Sequence, residues 1–297
     1  MAEVFYSKDT AQAAALFEAA GLTKIFTPGE AVALKIHFGE PGNTAYLKPP
    51  VVKPIFARIA QLGGQPFYTD CNTLYSGRRH TTKDHIEVAR EHGFEDVIIP
   101  EENDQIAVEV GLKHFKQVLL GGTAVRVNTI IALTHFKGHE VTGFGGTLKN
   151  LGMGFGSRQG KLKMHQDCKN CPEAKVCRKN KTLEACWFGS PGMVQEKIVE
   201  YAYGAVKDKR CGYVNFITDV SPNCDCYPHN DPPVIPDLGV LVSRDPVALD
   251  QASIDLVNQA AGRDIFRDLH PGADWTIQLK YAAEIGLGSR KYELVVK

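Results

Sequence analysis

The sequence predicts an α/β fold in which a mainly parallel or mixed sheet is covered by helices. Short runs rich in β-branched and aromatic residues alternate with helical patterns, which is typical of strands joined by crossover helices. The 297-residue chain is 43% apolar and 23% charged, as ordinary globular proteins are. The run "TIIALT" at 129–134 is largely apolar, which is expected of a strand buried on both faces.

The N-terminal half supplies alternating strands and helices. A helix is expected over "PPVVKPIFARIAQLG", because prolines fit a first helical turn and a glycine ends the run. A second helix, "TTKDHIEVAREHG", has a threonine cap and a glycine stop. The run "IAVEVGLKHFKQVLLG" is expected to form a hairpin with Gly111 near its turn. Strands are expected at 31–38, 66–70, "DVIIP" and 129–134.

The C-terminal half continues the pattern. "MVQEKIVEYAYGAVK" is expected to be helical, and "DPVALDQASIDLVNQAAG" is expected to be a helix with Asp245 as its cap and Pro246 in its first turn. Strands are expected at "GYVNFITDV", "DLGVLVS" and "YELVV", with a helix at 275–285. Since no repeat or linker interrupts the chain, we expect a single α/β domain over 1–297, with a Cys-rich insertion at 165–190.

Charge and hydropathy exclude two classes of partner. The chain has 34 Lys and Arg against 34 Asp and Glu, so no net charge attracts nucleic acid or anionic lipid. No apolar run approaches the roughly 20 residues of a membrane span, and the N-terminus lacks the pattern of a signal peptide. We therefore expect a cytoplasmic protein with no nucleic acid and no membrane partner. In that reducing compartment, clustered cysteines indicate metal ligands or reactive thiols.

Polar side chains follow five of the predicted strands. Because ligands of open α/β sheets bind beyond the carboxyl ends of the strands, parallel strands would bring these side chains to one edge. The candidates for acid/base or metal-ligand roles are His37, Asp70, His135, Lys137 and His139. Two further strand ends carry Asp219 and the pair Arg244 and Asp245. Each residue alone also fits a structural role, such as a buried histidine, a turn or a helix cap.

The segment with His135 and His139 has more than one interpretation. In a helix the two rings would share one face, but Gly138 and the preceding strand favour a loop. The segment fits a two-histidine metal site or a general base beside Lys137.

A second thiolate site is predicted at Cys224 and Cys226. In an extended segment, residues two apart project to the same side, so both thiolates could bind one ion or one cluster iron. A turn with two inert thiols fits the same pattern.

A glycine-rich run, "TGFGGTLKNLGMGFGSR" at 142–158, follows these histidines. It holds six glycines in seventeen residues and matches neither a Walker A motif nor a strand-anchored dinucleotide motif. Backbone N–H groups of such a run can approach an anion closely, and lysine adds positive charge. The run is either an anion or substrate cradle, with Gly145, Gly146, Lys149 and Asn150 as binding residues, or a structural glycine turn.

Four cysteines fall within a short segment with the spacing C-x2-C-x5-C-x8-C: Cys168, Cys171, Cys177 and Cys186. Four thiolates can hold one [4Fe–4S] cluster or close a tetrahedral zinc site. Structural zinc usually takes two C-x2-C knuckles, and the segment has one, so the uneven gaps favour the cluster. The surrounding lysines and arginine would offset the negative charge of a cluster, or form a solvated face.

Several of these motifs together resemble one family. "LKIHFGEPGNTAYLKP", "THFKGHEVTGFGGTLKNLGMGFGSRQGKL", "NFITDVSPNCDCY" and "SRDPVALDQASIDLVN" are similar to the iron–sulfur centre proteins with the DUF362 domain. The resemblance covers nearly the whole chain. It implies an α/β fold and a cytosolic iron–sulfur protein of the kind found in anaerobes, and it assigns no reaction.

The sequence departs from that family in one place. Many relatives carry a ferredoxin-like insert with two C-x2-C-x2-C-x3-C-P runs after the segment matching "GKLKMHQD", where this chain has the shorter Cys168 to Cys186 segment. The resemblance therefore implies at most one cubane in the insertion. A second and much shorter resemblance, limited to a strand, a polar loop and a proline-started helix, is to the N-terminal domain of nickel-pincer lactate racemases.

These observations lead to an expected function with open alternatives. The first hypothesis is a redox enzyme with one [4Fe–4S] cluster, a small anionic substrate at the carboxyl edge of the sheet and a redox partner protein. The second is a non-redox metalloenzyme, an isomerase or hydrolase, with structural zinc in the insertion. The third is an electron-carrier or metal-delivery protein.

Overall fold

The computed structural model describes residues 1–180 and 186–297, so residues 181–185 of the predicted insertion lie outside the described residues. The strands are β1 (Ala2–Ser7), β2 (Ala31–Lys35), β3 (Gln65–Thr69), β4 (Val97–Ile98), β5 (Gln105–Glu109), β6 (Gln117–Gly121), β7 (Thr129–His135), β8 (Lys137–His139), β9 (Gly143–Gly145), β10 (Arg210–Ile217), β11 (Gly239–Ser243) and β12 (Tyr292–Val296). The helices are α1 (Ala13–Ala19), α2 (Pro49–Gln61), α3 (Thr82–Glu91), α4 (Gly122–Arg126), α5 (Thr147–Phe155), α6 (Arg158–His165), α7 (Ala174–Asn180), α8 (Pro191–Val206), α9 (Pro246–Ala261), α10 (Ile265–Leu269) and α11 (Thr276–Glu284).

An eight-stranded mixed sheet organises the fold, in the order β12-β1-β11-β10-β7-β2-β3-β4. The strands β10, β7, β2, β3 and β4 pair in parallel, as do β1 and β12. Only β11 runs against its neighbours in this sheet. The predicted α/β class with a mainly parallel or mixed sheet is confirmed. No helix in 1–180 or 186–297 is both long and apolar enough to cross a membrane.

Helices cover both faces of the sheet. Along β7 every residue is buried, and alternate side chains enter different cores: Ile130 and Ala132 pack into one, Ile131 and Leu133 into the other. The first core is closed mainly by α5, α8, α9 and α11, and the second by α1 and α2. The apolar run of β7 is therefore explained by burial on both faces, as the sequence predicts.

The direction of β11 corrects one expectation. Strand β10 ends at the carboxyl edge of the parallel strands, and residues 218–238 connect it to β11 with no helix between them. A neighbouring strand entered from the same edge must run antiparallel. Arg244 and Asp245 therefore lie at the opposite edge, where Asp245 accepts hydrogen bonds from the N–H groups of Val247 and Ala248 and caps α9.

The segments expected to be loops after β7 have regular structure. Residues 137–139 form β8, which pairs antiparallel with β9. The glycine-rich run continues from β9 into α5, so most of its N–H groups lie in a strand or helix. A Cβ on Gly152 would lie 2.0 Å from the carbonyl oxygen of Ile198 in α8. This glycine allows α5 and α8 to approach closely, which explains why a helix forms despite the poor helix propensity of glycine.

Candidate functional site

A cavity of about 850 Å³ lies at the carboxyl edge of the parallel strands. Trp187 and Tyr227 line it and are 57% and 38% exposed, so they mark its mouth. Most of the predicted site residues line this cavity: His37, Asp70, Lys137, His139, Gly145, Gly146, Lys149, Asn150, Cys224 and Cys226. The parallel strands thus bring together residues that are far apart in the sequence.

A buried ion pair forms the floor of the cavity. The ammonium of Lys35, at the end of β2, lies 3.0 Å from Asp70 Oδ1, just beyond β3, and both side chains are almost fully buried. Burial would raise the pKa of Asp70, but the positive charge of Lys35 and of neighbouring groups outweighs it and holds this pKa below its usual range. Lys35 also donates to Asn150 Oδ1 at 2.7 Å. These contacts connect the ends of β2 and β3 to Asn150 of α5.

His37 belongs to a second buried cluster. The guanidinium of Arg79 donates to Glu40 and to the hydroxyl of Tyr75, and its Nη1 lies 3.1 Å from His37 Nε2. Burial, followed by the charge of Arg79, holds the pKa of His37 well below its usual range. His37 is therefore a neutral imidazole at neutral pH, beside a fixed positive charge.

His135 lies beneath the cavity wall. Its Nδ1 faces the carboxylate of Asp225 at 2.9 Å, and its Nε2 lies 2.8 Å from the carbonyl oxygen of Thr218. Both ring nitrogens therefore face oxygen acceptors. The same carboxylate pairs with Lys137 at 2.9 Å, and Lys137 does line the cavity. His135 therefore positions the carboxylate of Asp225, and this carboxylate forms an ion pair with the ammonium of Lys137.

The most distinctive group in the cavity is the sulfur of Cys224. The Lys149 ammonium lies 3.7 Å from Cys224 Sγ, and the backbone N–H of Cys226 donates to the same sulfur at 3.4 Å. The Cys226 thiol is the largest cause that holds the pKa of Cys224 well below that of an ordinary thiol, and the Lys149 ammonium and the nearby His139 ring act in the same direction, against burial.

The local chain geometry explains how this sulfur meets its donors. A hydrogen bond from Tyr227 N to Cys224 O closes a turn that folds Cys226 back beside Cys224. Gly138 donates to Ser221 O at 2.8 Å, and a Cβ there would lie 2.0 Å from the carbonyl oxygen of Pro222. Only glycine permits this contact, which brings β8 and His139 against the loop that carries Cys224. His139 Nδ1 accepts from Val141 N at 3.1 Å, which fixes the ring in this position.

The start of α5 is held from outside the cavity. Asp250 of α9 accepts hydrogen bonds from Thr147 N and Leu148 N, and a Cβ on Gly146 would lie 2.4 Å from its Oδ1. The first N–H groups of the helix are thereby occupied by a protein carboxylate. The absence of a side chain at Gly146 permits this close contact. The side chains of Lys149 and Asn150, further along α5, line the cavity.

The cavity carries an excess of positive charge. Its described lining includes Lys35, Lys137, Lys149, Lys161, Arg78 and Arg79 against Glu40, Asp70 and Glu140. Lys161 donates to the carbonyl oxygens of Cys71, Asn72 and Gly156, and burial lowers its pKa to about 8. Such a site favours a small anion.

The four insertion cysteines are free thiols of intermediate burial and do not line the cavity. Burial lowers the pKa of Lys197, and the nearby Asp167, Cys168 and Cys186 partly oppose this shift. His165 and Trp187, which flank the segment, pack edge to face at 4.4 Å and line the cavity. Within residues 1–180 and 186–297, no group of three or more His, Cys, Asp or Glu side chains is placed to hold a metal ion. The metal sites predicted at the insertion and at Cys224 and Cys226 stay predictions.

Sequence reasoning missed several residues in or beneath the cavity wall. Lys35 is a charged residue inside the apolar strand "AVALKIHF", and a charge in such a strand implies a buried partner of opposite charge. Asp225, between the two cysteines, resembles an ordinary turn residue. Arg79, Lys161 and Trp187 carry no local signal, because their partners lie far away in the chain.

Comparisons with known proteins give one family and two distant structures. The sequence model of the family described as "Domain of unknown function (DUF362)" matches residues 32–255. No curated protein matches the sequence. The chain is similar to the lactate racemase apoprotein from Thermoanaerobacterium thermosaccharolyticum, with 15% identity and a TM-score of 0.43 over 74% of this chain and 51% of that one. It is also similar to a structural genomics target from Thermotoga maritima, with 10% identity and a TM-score of 0.43 over 89% of this chain and 57% of that one. The chain spans less than two thirds of either structure.

Proposed function

The chain belongs to the DUF362 family, and from this membership and the cationic cavity we propose that it is an iron–sulfur redox enzyme acting on a small anionic substrate. One observation carries the proposal: the wall of this positively charged cavity, which holds the Cys224 sulfur, includes His165 and Trp187, on either side of the four insertion cysteines. A cofactor site and a substrate site would then be neighbours.

The substrate site is assigned to the side chains around Lys149. Its ammonium is buried at the cavity surface, where burial alone would lower its pKa and the sulfurs of Cys224 and Cys226 outweigh that effect and raise it. A fixed ammonium in a site of low dielectric attracts a carboxylate or phosphate more strongly than one in water. Lys149 can also donate a proton to an oxygen on which negative charge develops.

The chemistry of the donor set fits a [4Fe–4S] cluster in the insertion. Four thiols that form no disulfide are available, and Cys168, Cys171, Cys177 and Cys186 would hold the group. When bound, such a cluster supplies one-electron transfer at a potential set by its surroundings. Lys197, beside Cys168 and Cys186, offers positive charge to the thiolates, and an external redox partner protein would exchange electrons with the enzyme.

The cysteine assignment can be tested by substitution. Cys177→Ser should lose half or more of the visible absorbance near 400 nm of anaerobically purified protein, because a [4Fe–4S] cluster takes a thiolate at each iron. Cys211→Ser is the matched control, since Cys211 lies in β10 and does not line the cavity. His135→Ala should also keep the absorbance, because His135 lies under the substrate site. An unchanged spectrum in Cys177→Ser would remove this cysteine from the proposed cluster.

A further inference from the structure

Cys224 and Cys226 form a pair of thiols whose arrangement differs from that of the other described cysteines. Cys71 lines the same cavity, but its thiol donates to the carbonyl oxygen of Phe155 at 3.6 Å. Cys224 Sγ instead accepts hydrogen bonds from the Lys149 ammonium and the backbone N–H of Cys226. A sulfur that faces an ammonium and a backbone N–H at a cavity surface is placed to carry negative charge.

The second thiol is placed to react with the first. The turn at Cys224 to Tyr227 places Cys226 beside Cys224, whose sulfur accepts from the Cys226 backbone N–H at 3.4 Å, and both residues line the cavity. The two sulfurs are therefore neighbours before any reaction. A thiolate with an adjacent thiol is the arrangement of residues that exchange with disulfides.

We propose that Cys224 and Cys226 form a redox-active dithiol that exchanges with small anionic disulfides entering the cavity. Cys224 is the attacking thiolate, and Cys226 is the thiol that closes the protein disulfide. The proposal goes beyond the function proposed above, because it requires no cluster in the insertion and assigns a second reaction centre to the cavity.

The reaction balances with groups already present. The Cys224 thiolate attacks one sulfur of the disulfide RS–SR, a mixed disulfide forms, and RS⁻ leaves and takes a proton from the Lys149 ammonium. Cys226 then returns its proton to Lys149 and attacks Cys224 Sγ, so that the mixed disulfide breaks and the second RS⁻ leaves. The protein dithiol loses two electrons and the small disulfide gains them, giving one RSH and one RS⁻.

The charge of the cavity determines which disulfides enter. Lys149 stands beside the reactive sulfur, and Lys161 and Lys137 line the same cavity. A cleft whose lining has an excess of one sign of charge raises the local concentration of the opposite charge, with rate effects of about 10-fold or more. Glutathione disulfide, which is anionic, should therefore react at least about 10-fold faster than the dication cystamine, with neutral hydroxyethyl disulfide between them.

The test uses the full chain, purified without oxygen, reduced and freed of reductant. The protein is mixed with each disulfide, quenched by alkylation and analysed by fragmentation mass spectrometry, which scores Cys224 and Cys226 separately from the insertion cysteines. The wild type should form the Cys224–Cys226 disulfide and release two equivalents of glutathione. Cys226→Ser should stop at glutathione bound to Cys224 with one equivalent released, Cys224→Ser should form neither product, and Cys211→Ser should match the wild type.

Three results would overturn the proposal. Cys224 could stay unreacted while the insertion cysteines are modified, Cys226→Ser could release the same two equivalents as the wild type, or cystamine could react as fast as glutathione disulfide. Iron and sulfide measured on the same samples separate this proposal from the cluster: a protein without iron that still exchanges at Cys224 keeps the dithiol and loses the cluster.

Discussion

Asp70→Asn should lower the free energy of unfolding by about 3 to 5 kcal/mol, because it leaves the buried Lys35 ammonium without its counter-charge. Lys35 is completely buried, and burial already lowers its pKa. In the variant it must either stay charged with no ionised partner or lose its proton, and both cost stability. Urea unfolding at neutral pH, with wild type and variant side by side, measures the difference.

Two controls separate this effect from a general loss of charge. Glu91→Gln removes a partner from the exposed Arg78–Glu91 pair, which also has a short contact of 2.6 Å, and should leave the free energy of unfolding close to that of the wild type. Adding Lys35→Met to Asp70→Asn should recover part of the lost stability, since no buried charge then remains. Equal stability of the single and double variants would contradict the account of this pair.

The pH dependence of this difference has a defined sign. The pKa of Asp70 is held below its usual range in the folded protein, so this carboxylate contributes stability above the unfolded value of about 3.9, and the contribution is lost as the pH falls through the folded pKa. The gap between wild type and Asp70→Asn should therefore narrow below about pH 4. A gap that stays constant from neutral to acid pH would contradict a native carboxylate at Asp70.

Lys149→Met should weaken binding of inorganic phosphate in the cavity by about 10- to 100-fold, because one charge-assisted hydrogen bond contributes about 1.5 to 3 kcal/mol. The methionine keeps most of the side-chain volume and removes the ammonium that offsets the Cys224 sulfur. Phosphate is the probe because the proposed substrate is a small anion. Isothermal titration calorimetry of the full chain gives both affinities under the same conditions.

The matched control for this prediction is Lys163→Met, which removes an exposed lysine of α6 that does not line the cavity. It should bind phosphate like the wild type. If both substitutions weaken binding equally, the attraction comes from overall charge, and if neither does, the anion site is wrongly placed.

Much of this site was predictable because the ends of buried strands can be recognised from the sequence pattern. His37, Asp70 and His139 each follow a strand that pairs in parallel with another, and the carboxyl ends of parallel strands share one edge. Cys224 joins them because β10 belongs to the same parallel set. The proline start of α9 and its Asp245 cap were also expected, since local hydrogen bonds determine them.

Other features depend on contacts between distant residues. The direction of β11 was not predictable, because a buried strand has the same apolar pattern in parallel and antiparallel neighbours. Gly152 and Gly154 leave room for the close approach of α8 and of the Lys35 side chain to α5. Glycine has poor helix propensity, so the sequence of this segment by itself favours a loop. The pairing of Arg79 with Glu40 joins residues 39 positions apart and leaves no local signal.

The central claim, that this chain is an iron–sulfur redox protein, is tested most directly by its metal content. Protein purified without oxygen would be measured for iron, sulfide, zinc and nickel per chain, together with its EPR spectrum after reduction. The account predicts about four irons and four sulfides per chain and a signal that appears on reduction. A colourless protein with zinc or nickel in place of iron would contradict it, and zinc would be a metal that does not cycle electrons.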